Sequence, residues 1–233
     1  MSNRFPPIAA VTCLWLATLA WPPGLPGQVG HDPAHSPYRD LRATHQITLS
    51  GGYLGGGGGV AGVGPRQGFL AGARFAISLS APLEAWLGVH GAQLTRHLID
   101  PAAPPESRSV GTVSQQVVIF DAGFALRITG AKTWHGLMPY VGASLGTATG
   151  STVSDASGFS FGTPFQAGPH VGVRFYGTGP LSLWVEGWDP IWRLRYPTGW
   201  TGGSNPVLLP SDPIKEWVHN PTVLVGLGYI LRR

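Results

Sequence analysis

Eight ionisable residues stand out in this 233-residue chain because they recur on one face of alternating, strand-like segments. They are Arg74, Glu84, His90, Asp121, Arg127, His170, Arg174 and Glu186. Arginines and carboxylates can neutralise one another as hydrogen-bonded ion pairs, and a histidine can exchange a proton near neutral pH. His170 and Glu186 also supply two of the three groups of a serine hydrolase. Ser144 or Ser182 is the candidate nucleophile, but no recognisable catalytic motif surrounds them, so we predict no catalytic residue and no enzyme activity.

Other ligand chemistry is not indicated by the sequence. The glycine-rich run at residues 55–60 lacks the Lys-Ser/Thr pair of a phosphate-binding loop. His31 and His35 lie in a proline-rich stretch that does not preorganise metal ligands. The arginines are scattered and form no basic run of the kind that contacts nucleic acid. We therefore expect no metal, no cofactor and no nucleic-acid partner.

The composition points to strands in lipid. Charged residues make up 11% of the chain, against roughly 25% in typical soluble domains. After the N-terminus there is no apolar run long enough for a membrane-spanning helix. Within a bilayer only helices and closed barrels satisfy all their backbone hydrogen bonds. The chain is therefore predicted to cross a membrane as a β-barrel.

The N-terminal region has the pattern of an export signal. Arg4 precedes an apolar run at residues 8–21, and cleavage sites are offered by the small residues near Ala20 or by Gly27. If the only cysteine, Cys13, leaves with this segment, the exported protein has no thiol. We predict a cleaved signal peptide at residues 1–27, a flexible lead-in at residues 28–42 and a barrel domain at residues 43–233.

Eight segments of the barrel domain alternate apolar and small or polar residues with a period of two, which is typical of strands. They are residues 44–53, 69–79, 83–94, 116–128, 138–147, 165–176, 181–192 and 222–231. Most are about the length that a tilted strand needs to cross a bilayer. The predicted fold class is all-β, an eight-stranded antiparallel up-and-down transmembrane β-barrel.

The connections alternate in length. They are short after the second, fourth and sixth segments and longer after the first, third, fifth and seventh, with the longest at residues 193–221. Outer-membrane barrels have short periplasmic turns and longer extracellular loops. We therefore expect an integral outer-membrane protein with both termini in the periplasm.

The two faces of the strands are assigned by their chemistry. One face is a continuous set of Val, Leu, Ile, Ala and Phe, which suits lipid, whereas the other carries Gly, Ser and Thr with the eight ionisable residues. That second face suits the narrow interior of an eight-stranded barrel. A hairpin about residues 177–179 brings His170 close to Glu186. Because unpaired buried charges are costly, we predict a closed lumen with a charge-paired network.

The chain resembles the small eight-stranded outer-membrane barrels of the OmpA transmembrane-domain and OmpX type over residues 43–233. The segments that carry the resemblance are ITLSGGYLG, GFLAGARFAISL, FDAGFALRI, PYVGASLG, GPHVGVRFY and VLVGLGYIL. The resemblance implies a barrel inserted in outer-membrane lipid. The sequence departs from the pattern by ending on Arg233 rather than on an aromatic residue.

These observations favour a structural or surface-interaction role through the outer loops, in a monomer, with an extracellular ligand as a candidate partner. Trp192, Trp200 and Trp217 form the candidate loop contact. The same loop can instead be a cap folded over the rim of the barrel. Two other hypotheses remain open, an outer-membrane lipid-modifying enzyme and a soluble periplasmic lipocalin-like binding barrel.

Overall fold

The computed structural model describes residues 36–41, 43–203 and 205–231. The unit Pro37–Arg233 is compact and contains twelve strands. They are β1 Tyr38–Asp40, β2 His45–Leu54, β3 Gly68–Ser78, β4 Leu83–Ile99, β5 Ser109–Arg127, β6 Lys132–Trp134, β7 Leu137–Gly150, β8 Phe165–Tyr176, β9 Leu181–Trp188, β10 Ile191–Arg195, β11 Lys215–Val218 and β12 Thr222–Leu231. Two short 3-10 helices occupy Pro105–Ser107 and Thr198–Thr201. None of the helices in the described ranges is long and apolar enough to cross a membrane.

Eight of the strands close into an antiparallel barrel. Its order is β2, β3, β4, β5, β7, β8, β9 and β12, and β12 pairs with β2 along the full length of both strands. Each wall strand pairs with its neighbours in the sequence, which is the up-and-down topology predicted above. Closure satisfies the hydrogen bonds that the edge strands of an open sheet would leave unpaired. The predicted fold class is confirmed.

The last two wall strands continue beyond the barrel as a hairpin. β10 pairs with β8 in the same register as β9, so β9 and β10 form one strand interrupted at Pro190. β11 and β12 are likewise one strand interrupted near Pro221, because β10–β11 continues the register of β9–β12. Proline has no backbone N–H to donate to a ladder. The prediction of a loop over residues 193–221 is therefore wrong at both ends, and the connection covers residues 196–214.

The hairpin of β4 and β5 also projects past the wall. The two strands pair from Leu83 with Leu126 up to Ile99 with Ser109, with a register irregularity at Leu98 and Ile99. The prediction of a loop over residues 95–115 is therefore wrong, and residues 100–108 make the connection. The outward positions in this extension include polar Thr95 and Ser114 as well as the exposed Val110.

The segment before the barrel contains a short strand. β1 pairs antiparallel with β6, which lies in the turn between β5 and β7. Residues 38–40 of the predicted lead-in therefore pair with the turn at the barrel end. The predicted signal peptide at residues 1–27 lies outside the described residues.

The outer face of the wall is apolar. Its exposed side chains include Leu49, Phe69, Leu87, Phe120, Phe124, Leu126, Leu145, Val171, Leu183, Val223 and Leu227. Along β5 the apolar outward positions run from Val118 to the adjoining Ile128. That stretch is about 34 Å along the chain, or about 26 Å perpendicular to a membrane at a tilt of about 40°. The height matches the apolar band of about 25 Å found in transmembrane barrels, so lipid is the physical environment of this surface.

The interior of the barrel is layered. Met138, Tyr176 and Ile230 form an apolar cluster near the short turns. The ionisable residues fill the middle, and a larger apolar cluster fills the end below the long loops. That larger cluster includes Leu54, Leu70, Leu94, Val117, Ile119, Trp192, Tyr196, Trp200 and Leu224. The larger cluster continues into the charged layer through Trp86, Tyr140, Trp184 and Trp188, and Arg127 lies beside the turn between β3 and β4.

Candidate functional site

Glu186 is the central acceptor of the lumen. Its carboxylate accepts two hydrogen bonds from Arg74, through Nη1 at 2.8 Å and Nη2 at 3.0 Å. It also accepts the hydroxyl of Tyr140 at 2.5 Å and contacts Nδ1 of His170 at 2.9 Å. The Arg74 and Glu186 side chains are 2% and 0% exposed. Bidentate contacts of this kind are the strong form of a charge-assisted hydrogen bond.

A second bidentate pair joins Arg174 to Glu84. The two guanidinium nitrogens lie 2.7 and 2.6 Å from the carboxylate oxygens. Both pairs span the lumen, because β3 and β9 are not neighbours in the wall and neither are β8 and β4. Arg127, which we expected in the same network, forms no ion pair with any described carboxylate. It instead donates to the backbone carbonyl of Ser80 at 3.2 Å.

Asp121 forms a smaller polar group in the lumen, which Trp86 joins to Arg74. Its Oδ2 accepts the indole N–H of Trp86 at 2.6 Å, and its Oδ1 lies 3.5 Å from His90 Nε2. The His90 ring is tilted against Trp188 with 5.2 Å between centroids. Among the described residues this carboxylate therefore accepts a side-chain hydrogen bond from one indole and has no bidentate arginine.

Ser144, His170 and Glu186 form a continuous hydrogen-bonded chain. The hydroxyl of Ser144 lies 2.8 Å from Nε2 of His170, whose Nδ1 contacts Glu186. This connectivity is that of a serine, histidine and carboxylate triad. The other serine considered, Ser182, instead accepts a hydrogen bond from Gln46 at 2.7 Å. All three members of the chain are buried.

Aromatic side chains hold the charged groups, and the sequence did not single them out as site residues. The guanidinium of Arg74 lies 4.6 Å from the ring centroids of both Trp86 and Trp184. The Arg174 guanidinium lies 4.8 Å from the ring of Tyr140. Trp184 also donates its indole N–H to the Tyr140 hydroxyl. An inward position in the strand was the available signal: Trp86 and Trp184 each share a face with an ionisable residue of their own strand, whereas Tyr140 shares its face with no ionisable residue of β7.

The candidate contact residues of the long loop divide into two kinds. Trp192 and Trp200 are 0% and 4% exposed and belong to the apolar cluster under the loops, so they offer no surface to a partner. These two tryptophans thus pack inside the cap over the barrel rim. Trp217 is 51% exposed and lies on the outer face of β11. Trp217 is the one of the three that can meet a ligand directly.

The cap is held by polar contacts of its own. Arg96 donates to Asp155 at 2.7 Å and to the backbone carbonyl of Val63 at 3.0 Å. Burial lowers the pKa of Arg96, and the charge of Asp155 opposes that shift. Tyr196 donates its hydroxyl to Glu216, and burial followed by that hydrogen bond raises the pKa of Tyr196. The outer loops are thus tied to one another across the barrel mouth.

Metal ligation is not favoured by the geometry of the described residues. In those residues no three His, Cys, Asp or Glu side chains are grouped in a way that could hold an ion. His90 and Asp121 form one pair, and His219 and Asp189 form another at 2.6 Å near the outer rim.

Comparison with known proteins gives similarity at the level of the barrel. No protein-family model matches the sequence, and no curated protein matches it. The structure is similar to that of Neisserial surface protein A, with 14% identity, a TM-score of 0.49, and coverage of 80% of this chain and 97% of that one. The outer-membrane protein OprG from Pseudomonas aeruginosa has 12% identity, a TM-score of 0.48, and coverage of 83% and 99%. The N-terminal β-barrel domain of Pseudomonas aeruginosa OprF has 13% identity, a TM-score of 0.43, and coverage of 83% and 100%. The chain is therefore similar to small outer-membrane barrels.

Proposed function

We propose that this protein is a non-enzymatic outer-membrane barrel whose lumen is closed by charge pairs and whose role is structural or surface-binding through its outer loops. The observation that carries the proposal is the pair of bidentate bridges, Arg74 with Glu186 and Arg174 with Glu84. Each bridge crosses the lumen between strands that are not neighbours. Two such bridges at successive levels leave little room for a continuous water path.

The packing on either side of the bridges supports closure. Toward the long loops, Trp188 stacks on His170 with ring centroids 5.3 Å apart, and Trp192 and Trp200 lie above in the cap. Toward the short turns, Met138 and Ile230 pack against Tyr176. A solute would have to displace apolar groups at both ends before it met the ion pairs.

The outer loops are the proposed surface for a partner. The β4–β5 hairpin projects beyond the wall, and the cap beside it is fixed by Arg96 and Asp155. A surface that is already ordered loses less conformational entropy when it binds. We propose an extracellular ligand for this end and a monomeric protein in the membrane.

The membrane assignment is tested by fractionation and heat modification. The full-length protein is expressed in a Gram-negative host, and outer-membrane and soluble periplasmic fractions are separated. We expect the protein in the outer membrane, with different gel mobility in unheated and boiled samples because the closed barrel resists detergent. Recovery in the soluble periplasm without detergent would instead support the lipocalin-like alternative.

The orientation is tested by single cysteines in a Cys13→Ser background, since Cys13 is the only cysteine of the chain. Gly57→Cys lies in the loop after β2, and Thr178→Cys lies in the turn between β8 and β9. With both termini in the periplasm, an impermeant maleimide labels Gly57→Cys on intact cells. It reaches Thr178→Cys only after the outer membrane is permeabilised. The reverse labelling pattern refutes the proposed orientation.

One observation favours a second candidate, a lipid-modifying serine hydrolase. The chain from Ser144 through His170 to Glu186 has the connectivity of a catalytic triad. Against it, Glu186 is shared with Arg74 and Tyr140. The Ser144 side chain also points into a packed lumen, so a substrate reaches it only if the wall or the cap opens.

One experiment distinguishes the closed non-enzymatic barrel from the serine hydrolase. Membranes with wild-type protein are treated with a fluorophosphonate probe, and lipid A is analysed by mass spectrometry. The closed barrel predicts neither labelling nor a change in lipid A mass. A probe adduct on Ser144 together with altered lipid A, both lost in His170→Ala, would establish the hydrolase instead.

A further inference from the structure

The charged side chains on the outer face of the wall are concentrated at one place. Of the outward strand positions in the described wall and its hairpin extensions, only Arg193, Arg195 and Lys215 are Arg, Lys, Asp or Glu. All three lie on the β10–β11 hairpin and are exposed. Outward positions at the same end of β4 and β5 are neutral, for example Gln93 and Gln116. The cluster is therefore specific to this hairpin and is not a general feature of the barrel rim.

The cluster stands directly above the lipid-facing surface. Because β10 continues β9 in register, Arg193 and Arg195 extend the outward column that contains Val185 and Ile191. Arg193 lies two residues past Ile191, a rise of about 7 Å along the strand. Trp217 opposes Arg193 across the hairpin and contacts Phe165 edge-on, with 6.4 Å between ring centroids. Exposed aromatic side chains at this height mark the interface between hydrocarbon and headgroups.

The three cations have no anionic partner among the described residues. Arg195 and Lys215 are directly opposed across the hairpin, an arrangement of like charges that destabilises a strand pair. The neighbouring Glu216 faces inward, where it accepts hydrogen bonds from Tyr196 and from the backbone N–H of Val60 at 2.6 Å. Asp189 is paired with His219. The hairpin thus presents three positive charges without a described anionic partner sideways, toward the level of the headgroups, and the guanidinium of Arg193 lies 5.8 Å from the ring centroid of Trp217.

We propose that Arg193, Arg195, Lys215 and Trp217 form a binding site for a phosphate-bearing lipid headgroup of the outer leaflet. A shallow cleft of about 570 Å³ is lined by these four residues together with Phe161 and Phe165. Guanidinium groups match phosphate oxygens, and the aromatic rings suit the adjoining acyl chains. The inference rests on the proposed membrane insertion and adds a ligand class and a position to it.

The test compares two double variants that remove the same charge. Arg195→Gln with Lys215→Gln removes the opposed pair, whereas Arg39→Gln with Lys132→Gln removes two exposed cations at the other end of the barrel. Each full-length protein is purified in a neutral maltoside detergent. Native mass spectrometry then measures the retention of phosphatidic acid, of phosphatidylcholine and of inorganic phosphate.

We expect the wild type and the Arg39/Lys132 variant to retain phosphatidic acid in preference to phosphatidylcholine. Each basic residue near an anionic surface contributes about a fivefold factor. The Arg195/Lys215 variant should therefore bind phosphatidic acid about 25-fold more weakly. It should also resist urea at least as well as the wild type, because the opposed charges are gone.

Four results would overturn the proposal. They are equal retention in both double variants, equal retention of phosphatidylcholine, equal binding of inorganic phosphate at matched concentration, and loss of stability in the Arg195/Lys215 variant. The heat-dependent gel shift is recorded on the same samples. A retained shift without lipid selectivity refutes the headgroup site alone, whereas a missing shift in the wild type refutes the proposed membrane barrel itself.

Discussion

Replacement of Glu186 by glutamine tests how much the charge pairs of the lumen contribute to the free energy of unfolding. The substitution keeps the size of the side chain and removes the charge that faces Arg74, whose side chain is 2% exposed. Arg74 then keeps a buried positive charge without its carboxylate, and His170 and Tyr140 lose an anionic acceptor. Breaking one partner of a buried ion pair costs about 3–5 kcal/mol. We therefore expect the free energy of unfolding to fall by about 3–5 kcal/mol.

The assay is equilibrium urea unfolding of protein refolded into phosphatidylcholine vesicles. The folded fraction is read from unheated gel mobility and from tryptophan fluorescence. Arg74→Met and the double variant Arg74→Met with Glu186→Gln complete a double-mutant cycle. Because the double variant contains no orphaned charge, it should be less destabilised than the sum of the single variants, by about 2 kcal/mol or more.

Glu106→Gln is the matched control, since Glu106 is an exposed carboxylate in the connection between β4 and β5. It should leave the unfolding midpoint unchanged. A cost of less than about 1 kcal/mol for Glu186→Gln, or simple additivity of the two single effects, would contradict the expected cost of leaving Arg74 without its carboxylate. Either result would mean that the ion pair is solvated or that the lumen relaxes around the missing charge.

Two further predictions concern the wall and the cap. Gly146→Ala should destabilise the barrel by about 1–3 kcal/mol in the same urea assay, because an added Cβ would lie 1.9 Å from the backbone carbonyl oxygen of Phe120. Gly91→Ala meets no atom within 4 Å and serves as its control. For Tyr196, burial and its hydrogen bond to Glu216 raise the pKa, so the unfolded chain ionises first as pH rises above about 10. Wild-type stability should therefore fall above that pH, and the fall should be smaller in Tyr196→Phe; equal slopes in the two proteins would refute this contribution.

Which side chains face outward and which face inward was predictable from the sequence. Positions that face lipid are apolar and positions that face the lumen are small or polar, so the two kinds alternate at every second residue. Leu49 and Phe120 face outward, and Arg74 and Glu186 face inward, as the alternation indicated. The contact between His170 and Glu186 was also predictable, because a short turn fixes which residues of a hairpin lie close. Once the period and the turns are known, both results follow from local geometry.

The partners of the charged groups could not be derived in the same way. Arg74 meets Glu186 and Arg174 meets Glu84 across the lumen, so their pairing depends on how the closed barrel staggers its strands. Local alternation carries no information about that stagger. Arg127 illustrates the difference, because it shares the inward parity of the others and yet contacts a backbone carbonyl at the barrel end.

We predicted a loop where the β10–β11 hairpin lies, because the sequence there resembles the end of a strand. The predicted seventh strand ran through Pro190 to residue 192, and the five prolines at residues 197–221 predicted a loop from there to Pro221. The alternation of buried and exposed side chains nevertheless continues past the interruption at Pro190, with Trp192 and Leu194 buried and Arg193 exposed. The short pairing of β1 with β6 had no comparable signal, since three residues are too few to show a period.

The closed lumen is tested most directly by swelling of liposomes that contain the refolded protein, with the heat-dependent gel shift as proof that every vesicle preparation holds folded barrels. Two bridging ion pairs and an ordered cap predict swelling with small sugars no faster than in protein-free liposomes. Rapid, size-dependent swelling by the folded wild-type protein would contradict the account, because it would require a continuous water path through the layer that Arg74, Glu186, Arg174 and Glu84 occupy.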